Sequence, residues 1–93
     1  MTLIVYTKPR CGYCDASKTL LDSHDIEYST IDITEYPQAM NMLMEAGHRT
    51  MPQIYWNDQV FVEGGYNGLS KYTGAELHDK INLLSGNINL GSL

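Results

Sequence analysis

Apolar and polar positions change period several times along this chain, and each change marks an element. Leu3–Thr7 is apolar, β-branched and aromatic, the composition of a strand. Pro9 closes it, because proline has no N–H for a ladder and restricts Lys8 before it to extended backbone. Over Gly12–Ser23 the positions Ala16, Thr19, Leu20 and Leu21 give a helical face. Residues 27–33 return to alternation, with Tyr28, Thr30 and Asp32 on one side. Strand, helix and strand in this order predict a β-α-β unit whose two strands are parallel.

Thr34, with Pro37 in the first turn, predicts the start of a second helix, whose apolar face carries Met40, Leu43 and Met44 and which ends at Gly47. Its methionines read as flexible core filler, with an adaptable docking surface as the other reading. Gln53–Trp56 and residues 59–63 are two short strand patterns around Asn57-Asp58, a pair suited to the positive φ angles of a tight hairpin turn. Those strands are expected to be antiparallel, with Trp56 partly buried at their end. Gly64-Gly65 breaks the pattern, and a helix is expected from near Asn67, an N-cap residue type. Thr73 and Glu76 make a capping box, so the C-terminal helix is expected in two pieces meeting near Gly74. Residues 87–93 show no period and are expected to fray.

Composition narrows the class. At 93 residues the chain is expected to be a single domain over 1–93, with room for one modest core. No apolar stretch approaches the roughly 20 residues of a membrane span. Met1-Thr2-Leu3-Ile4 shows no basic segment followed by an apolar run, so a cytoplasmic, reducing compartment is the expectation. A net charge of −5 argues against nucleic-acid binding, which needs clustered cations to neutralise phosphates. Three of the six cations, Lys8, Arg10 and Lys18, nevertheless surround one segment. Either they form a local positive field or they belong to an ordinary solvated face.

That segment holds both cysteines, as Cys11-Gly12-Tyr13-Cys14. Under reducing conditions a lone pair is catalytic or metal-binding rather than a structural staple. Its place at a strand-to-helix junction sets the first thiol at a helix N-terminus, where free N–H groups favour the thiolate. Half of a zinc site is the alternative, but His24, His48 and His78 fall on separate elements at no ligand spacing.

Three motifs in order, Thr7-Lys8-Pro9-Arg10-Cys11-Gly12-Tyr13-Cys14, Thr50-Met51-Pro52 and Gly64-Gly65-Tyr66-Asn67-Gly68-Leu69, resemble those of the glutaredoxin family. The Thr-Met-Pro-Gln stretch and the Gly-Gly-aromatic sequence are most similar to glutaredoxins of bacteriophages such as the T-even group, which would place the protein in a host cytoplasm. The resemblance implies a thioredoxin-like α/β fold: a four-stranded mixed sheet with its first two strands parallel and its last two an antiparallel hairpin, flanked by helices. It implies a monomeric, glutathione-dependent thiol–disulfide oxidoreductase acting on disulfide-containing or glutathionylated proteins, with ribonucleotide reductase as an expected partner. Cys11 would be the nucleophile and Cys14 the resolving thiol, through either a dithiol route or a monothiol route that dispenses with Cys14.

The resemblance also distributes a glutathione site. Lys8 would meet the glycyl carboxylate, Tyr13 would line the groove, and Met51 would offer its backbone to the cysteinyl part, shaped by Pro52 with a cis or a trans bond. Gly65, Tyr66 and Asn67, running to Gly68, would supply N–H donors for the γ-glutamyl carboxylate, with Tyr66 also a candidate wall of a docking groove. Gln38 and Arg49 are further candidate contacts, Arg49 being equally readable as a solvated residue after Gly47. Two departures stand out. Gly12 replaces the proline common in Cys-Pro-Tyr-Cys, which leaves open a [2Fe–2S] cluster held by Cys11 of two subunits with glutathione as co-ligand. Asn67-Gly68 replaces two aspartates, removing charge that would attract the glutathione ammonium. The alternative this raises is a thioredoxin-like reductant recharged by a flavoprotein reductase.

Overall fold

The computed structural model describes residues 2–86. The chain runs β1 (Leu3–Thr7), α1 (Gly12–Ser23), β2 (Ser29–Asp32), α2 (Pro37–Glu45), β3 (Gln53–Trp56), β4 (Gln59–Val62), α3 (Gly65–Leu69) and α4 (Gly74–Ser85). The strands form one mixed sheet in the order β2-β1-β3-β4. β1 is parallel to β2, with Val5 opposite Thr30, and antiparallel to β3, with Val5 opposite Ile54, while β3 and β4 make the antiparallel hairpin. This is the thioredoxin-like architecture expected from the motifs. The predicted fraying of residues 87–93 lies outside the described residues.

Strand alternation divides the core into two layers. Leu3 and Val5 of β1 and Ile54 and Trp56 of β3 point to one face, where Leu21 of α1, Leu69 of α3 and Leu77 of α4 cover them. Tyr6 and Tyr55 point to the other face and meet Leu43 of α2 and Ile33. α1, α3 and α4 therefore share one side of the sheet and α2 covers the other. The central strand β1 carries the cysteine segment at its C-terminal end, so the site is mounted on the best-supported strand.

Several boundaries and faces differ from the periodic reading. The buried line of α1 runs through Cys14, Ser17 and Leu21, with Thr19 exposed, because a cysteine and a serine take the inward positions that the apolar count assigned elsewhere. β2 is trimmed to four residues, and Tyr28 precedes it, its hydroxyl donating to the Lys18 carbonyl at 3.4 Å. Thr34 does not open α2. Its N–H and hydroxyl both donate to Asp32 Oδ1, at 2.8 and 2.6 Å, holding a turn that delays the helix to Pro37 with Tyr36 as N-cap.

Within α2 only Leu43 is buried. Met40 and Met44 flank it at 38% and 51% exposure, so they are surface and not core filler. Trp56, by contrast, is 8% exposed and belongs to the core. Asn67 is not an N-cap, since Gly64 with φ +87° caps α3 three residues earlier. The capping box is present, with Thr73 Oγ1 accepting from the Glu76 N–H at 3.1 Å and Glu76 Oε1 accepting from the Thr73 N–H at 2.8 Å. The hairpin turn has Asn57 at φ +56°, and its side chain accepts from the Thr2 N–H at 3.1 Å.

Candidate active site

Past β1 the chain turns through Pro9 and through Arg10, a non-glycine residue at φ +55°, and delivers Cys11 as the N-cap of α1. Cys11 has extended backbone, and its Sγ accepts the Cys14 N–H at 3.1 Å, while its carbonyl accepts the Asp15 N–H at 3.2 Å. The sulfur thus fills the place usually taken by a capping oxygen. Negative charge on it would face the unpaired N–H groups of the first helical turn, which lowers a thiol pKa. Cys11 and Cys14 are joined as a disulfide with a Cα–Cα separation of 5.2 Å, so the structure is the oxidised form. Cys14 is the more enclosed, at 1% against 9%. In this disulfide form Cys11 is itself largely covered.

The second wall of the site is the turn before β3. The Met51–Pro52 bond is cis, and the Met51 carbonyl oxygen lies 3.7 Å from Cys11 Sγ. In the disulfide that sulfur has no proton, so this is a contact that only the thiol form can convert to a hydrogen bond. Gln53 Nε2 donates to the Thr50 carbonyl at 2.8 Å and braces the turn from inside the sheet.

The glycine pair supplies the third wall. A Cβ on Gly65 would stand 2.6 Å from the Pro52 carbonyl oxygen, and φ there is +58°, so only glycine lets α3 close against the turn. Gly68 likewise packs against the Glu63 carbonyl with no room for a side chain. Tyr13 reaches across from α1 and stacks on Tyr66 with ring centroids 5.8 Å apart at 27°. Tyr13, Thr50, Met51, Pro52, Gly64, Gly65, Tyr66 and Asn67 line a cavity of about 210 Å³. Six of the nine glutathione-site candidates outside the cysteines are thereby brought together.

Lys8 and Arg49 lie elsewhere. They line a neighbouring cavity of about 210 Å³ with Ile33, Met40, Leu43, Met44, His48 and Met51. Met51 is common to both, so the two cavities flank the turn that touches Cys11. Arg49 Nη1 donates to the His48 carbonyl at 3.0 Å and the Met44 carbonyl at 3.4 Å, anchoring it to the end of α2. Gln38 is exposed near the start of α2 and lines neither cavity. Of the cations around the cysteines, Lys18 is paired with Asp15 at 3.3 Å, which leaves Lys8 and Arg10 as the local positive charge. The sequence reading missed Thr50 and Gly64 as lining residues and the apolar floor of the second cavity. In the sequence Gly64 reads as a break and as part of the glycine motif but not as a lining residue, and the α2 methionines read as core filler, with a docking surface as the other reading.

Larger hollows lie away from this chemistry. One of about 720 Å³ is lined by Asp22, Asp25, Ile26, Glu27, Tyr28 and Thr30, with three carboxylates and no nucleophile. Among the described residues no three His, Cys, Asp or Glu side chains converge, so one copy offers Cys11 and Cys14 alone. A [2Fe–2S] cluster takes four ligands, which these residues do not make up within one copy. His24 and His78 do meet, through the His78 Nε2–H donating to the His24 carbonyl at 2.6 Å, and His48 shares a 2.8 Å hydrogen bond with the Tyr55 hydroxyl. Both contacts fasten elements to one another. Among the described residues no helix is long and apolar enough to cross a membrane.

The family model described as Glutaredoxin matches residues 3–62, from β1 through β4. The chain belongs to the glutaredoxin family. It is similar to Glutaredoxin 1 of Rickettsia conorii, 35% identical over 57 residues that make 58% of this chain and 56% of that protein. The match thus spans little more than half of that relative. The glutaredoxin-like protein NrdH of Lactococcus lactis subsp. cremoris is 35% identical over 57 residues, 61% of this chain and 79% of that one. Among solved structures, the buckwheat glutaredoxin–glutathione complex superposes with a TM-score of 0.67 at 26% identity, covering 85% of this chain and 74% of the other. The Cys11–Cys14 disulfide of this glutaredoxin lies within the residues that the family model matches. Gly65, Tyr66 and Asn67 lie beyond the residues that the family model matches.

Proposed function

We propose that the protein reduces protein disulfides and glutathione mixed disulfides with glutathione as the reductant. The observation that supports this reading is the pair of cavities that share Met51, whose carbonyl oxygen lies against Cys11 Sγ. Glutathione is a tripeptide with a carboxylate at each end and a thiol at the centre. Its cysteinyl part would pair with the Met51 backbone beside Pro52, and its glycyl carboxylate would meet Lys8, with Arg49 nearby. Its γ-glutamyl end would lie along Gly65, Tyr66 and Asn67, where first-turn N–H groups lack intrahelical acceptors, with Tyr13 over the groove.

In the dithiol route the Cys11 thiolate attacks a substrate disulfide, forming a Cys11–substrate disulfide and expelling the other half as a thiolate. Cys14 then attacks Cys11 Sγ, releasing the substrate thiol and closing the Cys11–Cys14 disulfide. Two glutathione thiols reopen it and leave as glutathione disulfide, so electrons balance. In the monothiol route glutathione itself resolves a Cys11–glutathione adduct. A reducing cytoplasm supplies the glutathione, and a ribonucleotide reductase, which accumulates a disulfide each turnover, is the protein substrate we carry forward from the motif resemblance.

A second reading is favoured by one feature. Asn67 carries no charge and Gly68 has no space for a side chain, so neither position offers a carboxylate to attract the glutathione ammonium. On that reading a flavoprotein reductase recharges the disulfide, in a thioredoxin-like manner. The deciding experiment is turnover of a glutathione mixed disulfide coupled to glutathione reductase, comparing the native chain with Cys11→Ser and Cys14→Ser. The proposal expects Cys11→Ser to abolish turnover, and Cys14→Ser to spare it while losing protein-disulfide reduction. A native chain that stays idle with glutathione, yet is reduced by a flavoprotein reductase, would replace the first reading with the second.

A further inference from the structure

Among the described residues, Ser17 Oγ is the one buried side-chain oxygen or nitrogen without a hydrogen-bond partner. Ser17 is 0% exposed and sits one turn after Cys14 on the buried line of α1. An unpaired hydroxyl in such a place costs stability that an alanine would not. Serines at three other, solvent-accessible helical or helix-end positions turn back to the carbonyl three residues earlier. Ser23 donates to Leu20, Ser70 to Asn67 and Ser85 to Asn82, at 2.7, 3.0 and 3.2 Å. Ser17 makes no such bond to the Cys14 carbonyl.

Helical side chains lean toward the helix N-terminus, and a residue at i+3 covers the turn that holds residue i. Ser17 is thereby set over Cys14. In the oxidised protein Cys14 Sγ is bonded to Cys11 and drawn toward the N-cap. We propose that Ser17 is a positioning residue for the resolving thiol, its Oγ–H donating to Cys14 Sγ whenever the disulfide is open. This deepens the thiol–disulfide reading and rests on it.

The bond comes and goes with the redox cycle. Two thiols of the reductant give up two electrons, become a disulfide and leave Cys11 and Cys14 as free thiols. Cys14 Sγ, released from Cys11, then accepts from Ser17. In the mixed-disulfide state the same hydroxyl favours the thiolate of Cys14, which forms the new bond to Cys11 Sγ as the substrate leaves with the electron pair and takes up a proton. Closure of the disulfide orphans the hydroxyl again. Ser17 therefore stabilises the open dithiol relative to the disulfide and makes the disulfide easier to reduce.

Ser17→Ala tests this by equilibration of the Cys11–Cys14 pair against a thiol–disulfide buffer. The disulfide of the variant should be about five- to tenfold harder to reduce, the worth of one buried hydrogen bond, and tenfold corresponds to about 30 mV for this two-electron couple. In a Cys11→Ser background, adding Ser17→Ala should raise the pH at which Cys14 becomes reactive toward an alkylating agent, and Ser17→Thr should restore it. Heating both forms separates this role from packing, since Ser17→Ala should lower the melting midpoint of the reduced form and not of the oxidised form. An equilibrium unchanged within twofold, an unmoved Cys14 titration, or an equal fall in both midpoints would each overturn the proposal. Failure of the native chain to exchange disulfides at all would instead defeat the functional reading on which it rests.

Discussion

A methyl group added at Gly65 would stand 2.6 Å from the Pro52 carbonyl oxygen, on backbone with φ +58°. The left-handed backbone alone costs an alanine about 1–2 kcal/mol. Relieving the contact means moving Pro52 or α3 within a packed wall, an overpacking cost of about 1–3 kcal/mol. Together Gly65→Ala should lose about 2–5 kcal/mol. A chain of 93 residues has a total stability of roughly 5–14 kcal/mol, and each kcal/mol moves the melting midpoint of such a domain by about 4–8 °C. The variant should thus melt roughly 8–40 °C lower. Two controls isolate the contact. Gly47 has φ +93° and nothing within 4 Å of a built Cβ, so Gly47→Ala bears only the backbone term. Gly12 has neither a positive φ nor a neighbour, so Gly12→Ala should be neutral or stabilising by about 0.5–1 kcal/mol. Urea unfolding of the three oxidised variants reads the series directly. If Gly65→Ala fell within about 0.5 kcal/mol of Gly47→Ala, the close approach of α3 to the Pro52 turn would be refuted.

The Tyr13–Tyr66 stack should couple the two rings by about 0.5–1.5 kcal/mol in a double-mutant cycle read on KM for glutathione, whereas additive single effects would deny that they act together. Thr73→Ala removes the side-chain half of the capping box on α4 and should lower unfolding stability by about 1 kcal/mol. An unchanged urea midpoint would show the box to be idle. Burial raises the pKa of Tyr6, with the charge of Tyr55 adding to it, and burial likewise raises that of Tyr55. The fold therefore favours the neutral phenols. Their contribution is complete below the unfolded value of about 10 and is lost as pH rises through the higher folded values. Unfolding free energy should fall above pH ~10 in step with the tyrosinate absorbance, and Tyr55→Phe should soften that fall. Stability rising over that range would contradict the burial of these rings.

Elements with strong local signals were legible in the sequence. β1, β3 and the Asn57-Asp58 hairpin showed as β-rich runs ended by proline or turn residues, and Thr73 with Glu76 marked the start of α4 three residues apart. The dithiol stood out because its spacing and its strand-to-helix setting are both local. What escaped depends on contacts between distant residues. Thr34 looks like a helix start until Asp32 is seen to bind its hydroxyl. Asn67 looks like a cap until two glycines at positive φ begin the helix earlier. Met40 and Met44 share the helical spacing of Leu43, yet only one of the three lies over the tyrosines of the sheet. Ser17 carried no apolar signal and occupies one of the most enclosed places in the chain. The site residues split the same way: the motifs supplied the cysteines, Met51, Pro52 and the glycine turn, while the division into two cavities about Met51 is a product of tertiary packing.

The sheet order has a consequence for the company this protein keeps. Under the proposed function it would work among chains that are partly unfolded and have strands of their own to pair. Among the described residues the two outer strands are β2 and β4, each only four residues long. The outer residues Ser29 and Thr30 of β2 are polar and solvated, and the pairing of β4 with β3 slips in register between Ile54 and Tyr55. Such short, polar or irregular borders give a client strand little to zip onto. The apolar strand β1 is enclosed between β2 and β3, so a client that exchanged its disulfide at Cys11 as proposed would leave without being templated into aggregate.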